Sequence, residues 1–420
     1  MHNNKPSRWL TLTFCALLLL LAPVPVLAQA CHAPAQSNQP ALTATESCNG
    51  ANGAEASTAC TPQCTGGGAP GMMHASVQTL RVSLALSDQP LAYTPAKGPA
   101  VPLGFYYSQR EAYQPQNFHY ANLGPKWTYG GLSYVIDDPQ RPGVNVQRYK
   151  AGGGTRLVSN YNRATGGFAR DSSDHSQLVR VAGPSLHYER HLPDGSIETY
   201  AHSDGKNEYP RRFFLSERRD PAGNRIVIVY DPQNRITRIR DASGQNTTLE
   251  YKHRDPLKIT AIVDPHGRRA TLAYDRFGRL ITITDAAGMS SSVTYSGNGT
   301  FIDTLSTPYG VSRFASGSGQ DYWVEITGPL GRTERVEARD NAPGIADAEP
   351  TAPRVSGLIN RGLSQNNTYY WDAANYSKDK RDYGKATVLH WDTKNGATIE
   401  TLLSSKAPLE SRQWYVHAGN

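Results

Sequence analysis

The chain has 420 residues with 19% charged side chains, a formal net charge of +7, and 38 Gly, 28 Pro and 23 Tyr against nine Phe and four Met. That composition excludes a helical bundle and suits many short strands joined by tight turns, because Gly and Pro supply turn geometry and Tyr packs well on a half-buried pleated surface. So mild a positive charge points by itself to neither a nucleic-acid nor a membrane partner.

Residues 1–30 read as a secretory signal peptide. Lys5 and Arg8 precede an apolar run from Trp9 to Leu21, and small-residue sites follow at Val26-Leu27-Ala28 and Ala28-Gln29-Ala30. The run falls short of the roughly 18 apolar residues that a membrane span needs. Export through the general secretory route is the expectation, to the periplasm, the cell surface or beyond. Cleavage after Ala30 would leave Cys31 first, but Ala28 stands where lipoprotein signals usually carry Leu, which disfavours a lipid anchor. Residues 31–76 form a Cys-containing, low-complexity linker. Cys31, Cys48, Cys60 and Cys64 are the disulfide candidates in an oxidising compartment; four cysteines allow three connectivities, and spacing does not choose among them.

A strand-rich N-terminal β domain is expected over 77–210. Leu80, Val82, Leu84 and Leu86 alternate with Arg81, Ser83, Ala85 and Ser87, which predicts one half-buried strand ended by Asp88-Gln89-Pro90. A second strand is read through Val101 to Tyr107, and Leu123 to Gly131 reads as a turn carrying the bulky anchor Trp127.

Between 211 and 340 the sequence repeats. Gly223, Gly244, Gly267, Gly288, Gly310 and Gly331 recur at intervals of 21, 23, 21, 22 and 21 residues. The first four close Asp-x-x-Gly turns begun by Asp220, Asp241, Asp264 and Asp285, in which Asp can bond the backbone and Gly takes a positive φ. Seven residues after each of these glycines stands a tyrosine (Tyr230, Tyr251, Tyr274, Tyr295), with an aliphatic two before it (Ile228, Leu249, Leu272, Val293). Alternate side chains of a strand share a face, so each pair is the expected core of one strand–turn–strand unit that must stack on its neighbours to be buried.

The run Tyr274-Asp275-x-x-Gly278-Arg279-Leu280, with Asp285-x-x-Gly288 after it, resembles the consensus of RHS (rearrangement-hotspot) or YD repeats, shared by bacterial polymorphic toxins, insecticidal toxin-complex C components and teneurins. Leu123-Gly124-Pro125-x-Trp127-Thr128 resembles the region that precedes the repeats in bacterial members. Tyr369-Tyr370-Trp371-Asp372 through Ser411-Arg412-Gln413-Trp414-Tyr415 is similar to an interruption between repeats in proteobacterial members. There are departures: Lys252 follows Tyr251, Ser296 follows Tyr295, and the last two units read Thr307-Pro308-Tyr309-Gly310 and Gly328-Pro329-Leu330-Gly331. The resemblance implies an all-β chain whose stacked hairpins form part of a spiralling sheet or shell. It implies a structural, non-enzymatic role without cofactors: encapsulating or presenting a C-terminal toxin or effector, absent from this chain, in partnership with the remaining shell and the cargo polypeptide. A Pro/Ala-rich linker is read over 341–355 and a β-rich inter-repeat region, apparently truncated, over 356–420.

No catalytic or phosphate-binding motif is found, and no metal site is assigned. His187 and His191 flank Glu189 and would share a strand face, where plain surface histidines are the simpler reading. Arg211, Arg212, Arg218, Arg219, Arg225, Arg235, Arg238 and Arg240 make the densest basic zone. It reads as a charged strand face that discourages edge pairing rather than as a polyanion site. A cell-surface carbohydrate-binding or adhesion module, with envelope glycans as partners, is the alternative function.

Overall fold

The computed structural model describes residues 63–65, 72–319, 321–378, 382–394 and 396–417. The stretch read as a signal peptide and Cys31, Cys48 and Cys60 lie outside the described residues, and of Cys64 only the backbone is described, in strand Gln63–Thr65. Among the described residues no helix is long and apolar enough to cross a membrane.

The chain is all-β. Its first unit is a five-stranded antiparallel sheet in the order Gln63–Thr65, His74–Gln78, Ser83–Asp88, Phe105–Ser108 and Trp127–Tyr129. The single strand expected through Leu80 to Ser87 is instead the tail of a hairpin: Gln78 pairs with Ser83, and Thr79 to Val82 make the turn. The alternation misled because an even-membered turn preserves period two across it. Leu80 consequently leaves the sheet core and packs with the distant cluster of Leu389, Trp391 and Leu402. Val82 takes φ +42°, uncommon for a β-branched residue.

The second unit is a meander of antiparallel hairpins from Tyr134 to Trp414. Its first eight strands, from Tyr134–Asp137 to Arg211–Arg219, close on themselves, because Arg211 to Phe214 pair back with Tyr134 to Asp137. Stacked Tyr134 and Tyr149 rings, 4.8 Å apart, and the edge-on pair Tyr188–Phe213 sit in the core of this ring.

From Arg225 onward the repeats form a strip. Cross-strand partners Ile228–Ile239, Leu249–Ile262, Leu272–Ile283 and Val293–Leu305 are all buried and line up on one face. The opposite face carries Arg238, Thr248 and Thr271, all exposed. Tyr230, Tyr274 and Tyr295 sit where the register shifts at the end of their strands, and Tyr251 directly follows its strand, Asn246–Glu250. The hydroxyls do the same thing in every unit: Tyr230, Tyr251, Tyr274 and Tyr295 donate to the carbonyls of Leu215, Ile236, Ile259 and Leu280, each 15 residues earlier, at 2.8, 2.8, 2.6 and 2.6 Å. The repeat tyrosine is therefore a latch from one unit to the one before it. Tyr274→Phe is expected to cost about 1–2 kcal/mol, because the Ile259 carbonyl loses its donor in a site closed to water. Urea denaturation checks this, with Tyr309→Phe, 69% exposed, as the neutral control.

Strands Tyr322–Thr327, Thr333–Arg339 and Asn367–Trp371 extend the strip. Their outer face is covered by a short helix, Ala373–Lys378, and the turn at Tyr383–Lys385. A separate core of Tyr369, Trp371, Tyr376, Tyr383 and Val388 forms there.

Candidate functional site

An apolar sheet face cannot stay in water, and the repeat strip covers its own with residues 72–131. Residues from Met73 to Val336 form one hydrophobic cluster, so the N-terminal sheet and the repeats share a single core.

The two rows of turns that edge the strip are each followed by a stretch of that cover. Along the Asp-x-x-Gly row, Gly223, Gly244, Gly267 and Gly288 adopt φ of +84°, +86°, +79° and +85°. Asp220, Asp241, Asp264 and Asp285 each accept the backbone N–H four residues on, at 2.8–2.9 Å. Gly310 and Gly331, at φ +123° and +74°, continue the row. Residues 88–98 run across it. The Pro90 carbonyl accepts from the Ala286 N–H (3.4 Å), and the Ala92 carbonyl accepts from Arg268 (2.9 Å). Tyr93 donates to Asp241 (3.4 Å) and meets the His266 ring edge-on. A Cβ on Gly98 would lie 2.6 Å from that of Ala242.

Along the Tyr-Asp row the cover is residues 118–127. Asn122 forms a parallel bridge with Lys258, and its side-chain oxygen accepts from the Lys258 Nζ at 2.6 Å. That ammonium is buried beside the Phe118 and Tyr274 rings, and desolvation pushes it down to about 8. Gly124 sits at φ +93° with the Gly278 carbonyl 2.6 Å from where a Cβ would be, so no other residue fits. Trp127 donates from Nε1 to the Tyr295 hydroxyl at 2.9 Å, joining the cover to the tyrosine latch. The Leu-Gly-Pro-x-Trp run is thus a docking motif for the repeats, a role its sequence spacing did not disclose.

One carboxyl in this contact is out of its ordinary state. Asp88 is 3% exposed; burial first, and the Asp285 charge second, push it up to about 7. An acid raised in the fold favours folding fully below its unfolded value of 3.8, and that contribution fades as pH climbs to about 7. Between pH 4 and 7 the chain is therefore expected to lose on the order of 3 kcal/mol more than Asp88→Asn does. Parallel denaturation curves for the two proteins over that range would remove Asp88 from the account.

The basic zone is divided between ion pairs of the wall and solvent. Arg211 forks onto Asp137 (2.9 and 2.7 Å), Arg218 pairs with Glu198 (3.0 Å), Arg225 with Glu217 (3.4 Å) and Arg235 with Asp231 (2.7 Å), while Arg212 is buried over the Tyr120 and Tyr134 rings. Arg219, Arg225, Arg238 and Arg240 are exposed. Glu189 lies between His187 (3.7 Å) and His191 (2.9 Å) on the strand surface. Among the described residues, no three His, Cys, Asp or Glu side chains gather as metal ligands would.

A buried network at Arg335 had no local signal in the sequence. Its guanidinium bonds Glu337 (2.8 and 2.5 Å) and Glu325 (2.7 Å) and lies 4.4 Å over Trp323; Tyr383 donates to Glu337 (2.7 Å) and Tyr376 to Glu325. It fastens the helical cover to the strip.

Comparison with known proteins agrees with the repeat. The family model described as RHS Repeat matches residues 257–289, which are thus an RHS repeat. No curated protein matches the chain. Similar solved structures include a crystal structure of TcdB2-TccC3, 10% identical with TM-score 0.28, covering 83% of this chain and 20% of that one. Another is a Photorhabdus luminescens Tc holotoxin pore, 9% identical with TM-score 0.27, covering 86% and 20%. The chain spans about a fifth of the length of these structures.

Proposed function

We propose that this chain is the filled end of an RHS-type β shell, a wall segment without catalytic role that is exported by its N-terminal signal. The observation that carries this reading is the cover itself. Residues 72–131 occupy the apolar face of the repeats, and Gly98 and Gly124 seat that cover against both rows of turns. A repeat array needs one such terminal unit to keep its first apolar face from water. On this reading a toxin or effector polypeptide would be held against further hairpins of the shell, not among residues 211–340, whose face is taken.

Limited proteolysis of the full chain carrying an easily digested polypeptide after Asn420 tests this. The expected result is that 72–417 survives as one resistant unit while the appended polypeptide is cut. Protection of the appended polypeptide would mean that the chain encloses cargo by itself. Release of 211–340 free of 72–131 would mean that the cover is not integral. Either outcome overturns the proposal.

A further inference from the structure

A cleft of about 520 Å³ opens where the hairpin turn of the N-terminal sheet meets the C-terminal strands. Three guanidinium groups reach it from separate segments: Arg81 from the turn, Arg110 after strand Phe105–Ser108, and Arg339 from the end of strand Thr333–Arg339. Arg339 is balanced by Asp321 (3.7 Å) and Glu337 (4.0 Å), and Asp340, which accepts the Asn366 N–H at 2.6 Å, is the carboxylate among the lining residues, so the excess positive charge of the cleft rests on Arg81 and Arg110.

Two of the arginines are held in place. The Arg110 guanidinium lies 4.3 Å above the Tyr322 ring, and its Nε donates to the Val82 carbonyl at 3.2 Å, next to the strained +42° backbone. Arg339 donates to the Tyr383 hydroxyl at 2.7 Å. A stacked guanidinium presents its remaining N–H groups as a planar fork suited to a carboxylate. The remaining lining is chiefly amide, hydroxyl and ring: Asn366 and Thr398 stand at the rim and Tyr322 is 41% exposed, while Leu80 and Ala338 are the aliphatic members. A peptide side chain would call for a larger apolar pocket; a hydroxyl-rich ring bearing a carboxylate matches amides, an aromatic edge and arginine forks.

We propose that this cleft binds a carboxylate-bearing oligosaccharide, its uronate group on Arg81 and Arg110 and its hydroxyls on the Asn366–Thr398 rim. The site goes beyond the shell reading and would tether that shell to an acidic glycan surface.

The test is titration calorimetry of the full chain with trigalacturonate, with neutral trigalactose and triglutamate as comparisons. Saturable binding of trigalacturonate is expected, with trigalactose and triglutamate each weaker by about tenfold or more. Arg81→Ala, a change at an exposed position, is expected to weaken trigalacturonate by about tenfold at an unchanged melting temperature. Thr398→Trp, filling the rim, is expected to do the same and serves if Arg81→Ala fails to fold. No binding, undiminished binding in the variants, or equal binding of triglutamate would each overturn the assignment, the last naming an acidic peptide instead.

Discussion

Trp127→Ala is expected to lower the stability of the chain by about 3–5 kcal/mol, the range for emptying a buried tryptophan site. Trp127 is 1% exposed, packs 5.5 Å from the Tyr107 ring, and donates to the Tyr295 hydroxyl. Tyr107 in turn donates to the Thr300 carbonyl and accepts from the Ile302 N–H, so the cavity would open where the cover is pinned to the repeats. Denaturant unfolding gives the magnitude. Proteolysis gives the location, because cleavage should concentrate in 72–131 before the repeats are touched. Trp127→Phe should fall between wild type and alanine, since it keeps most of the packing and loses the N–H. A loss below about 1 kcal/mol with unaltered cleavage would show that the cover is held elsewhere.

Glu337→Ala is expected to be as severe, again about 3–5 kcal/mol, for a different reason. Glu337 is fully buried and shares the Arg335 guanidinium with Glu325. Removing it leaves a buried cation, its side chain 4% exposed, with one partner instead of two, and leaves the Tyr383 hydroxyl without its acceptor. The cost is that of the buried Arg335 and Tyr383 donors left unmet rather than the worth of the pair. The double variant Arg335→Met/Glu337→Leu should recover part of the loss, because apolar groups of similar volume need no partner, while Glu325, its side chain 24% exposed, keeps the Tyr376 hydroxyl as donor. A double variant less stable than Glu337→Ala would contradict that account. Near-ultraviolet circular dichroism around Trp371 and Trp323 would report whether the helical cover has detached.

What the amino-acid sequence determined by itself was local. Asp and Gly three apart impose a turn, and an aliphatic and a tyrosine two apart must share a face. Their recurrence about every 22 residues makes stacked hairpins the outcome that buries those faces. Each of these facts is settled within a dozen residues, where dihedral preference and strand alternation decide. Tertiary structure alone decided what lies on the strip. Trp127 finds Tyr295 from 168 residues away and Asn122 finds Lys258 from 136. Such pairings depend on which apolar face is left uncovered once the hairpins have formed, and no local signal records it. The same holds for the hairpin turn at 79–82 and for the carboxylates of Glu325 and Glu337 gathered on Arg335. Period two is blind to an even turn, and a charge buried by distant rings looks, in sequence, like any charge on a solvated strand.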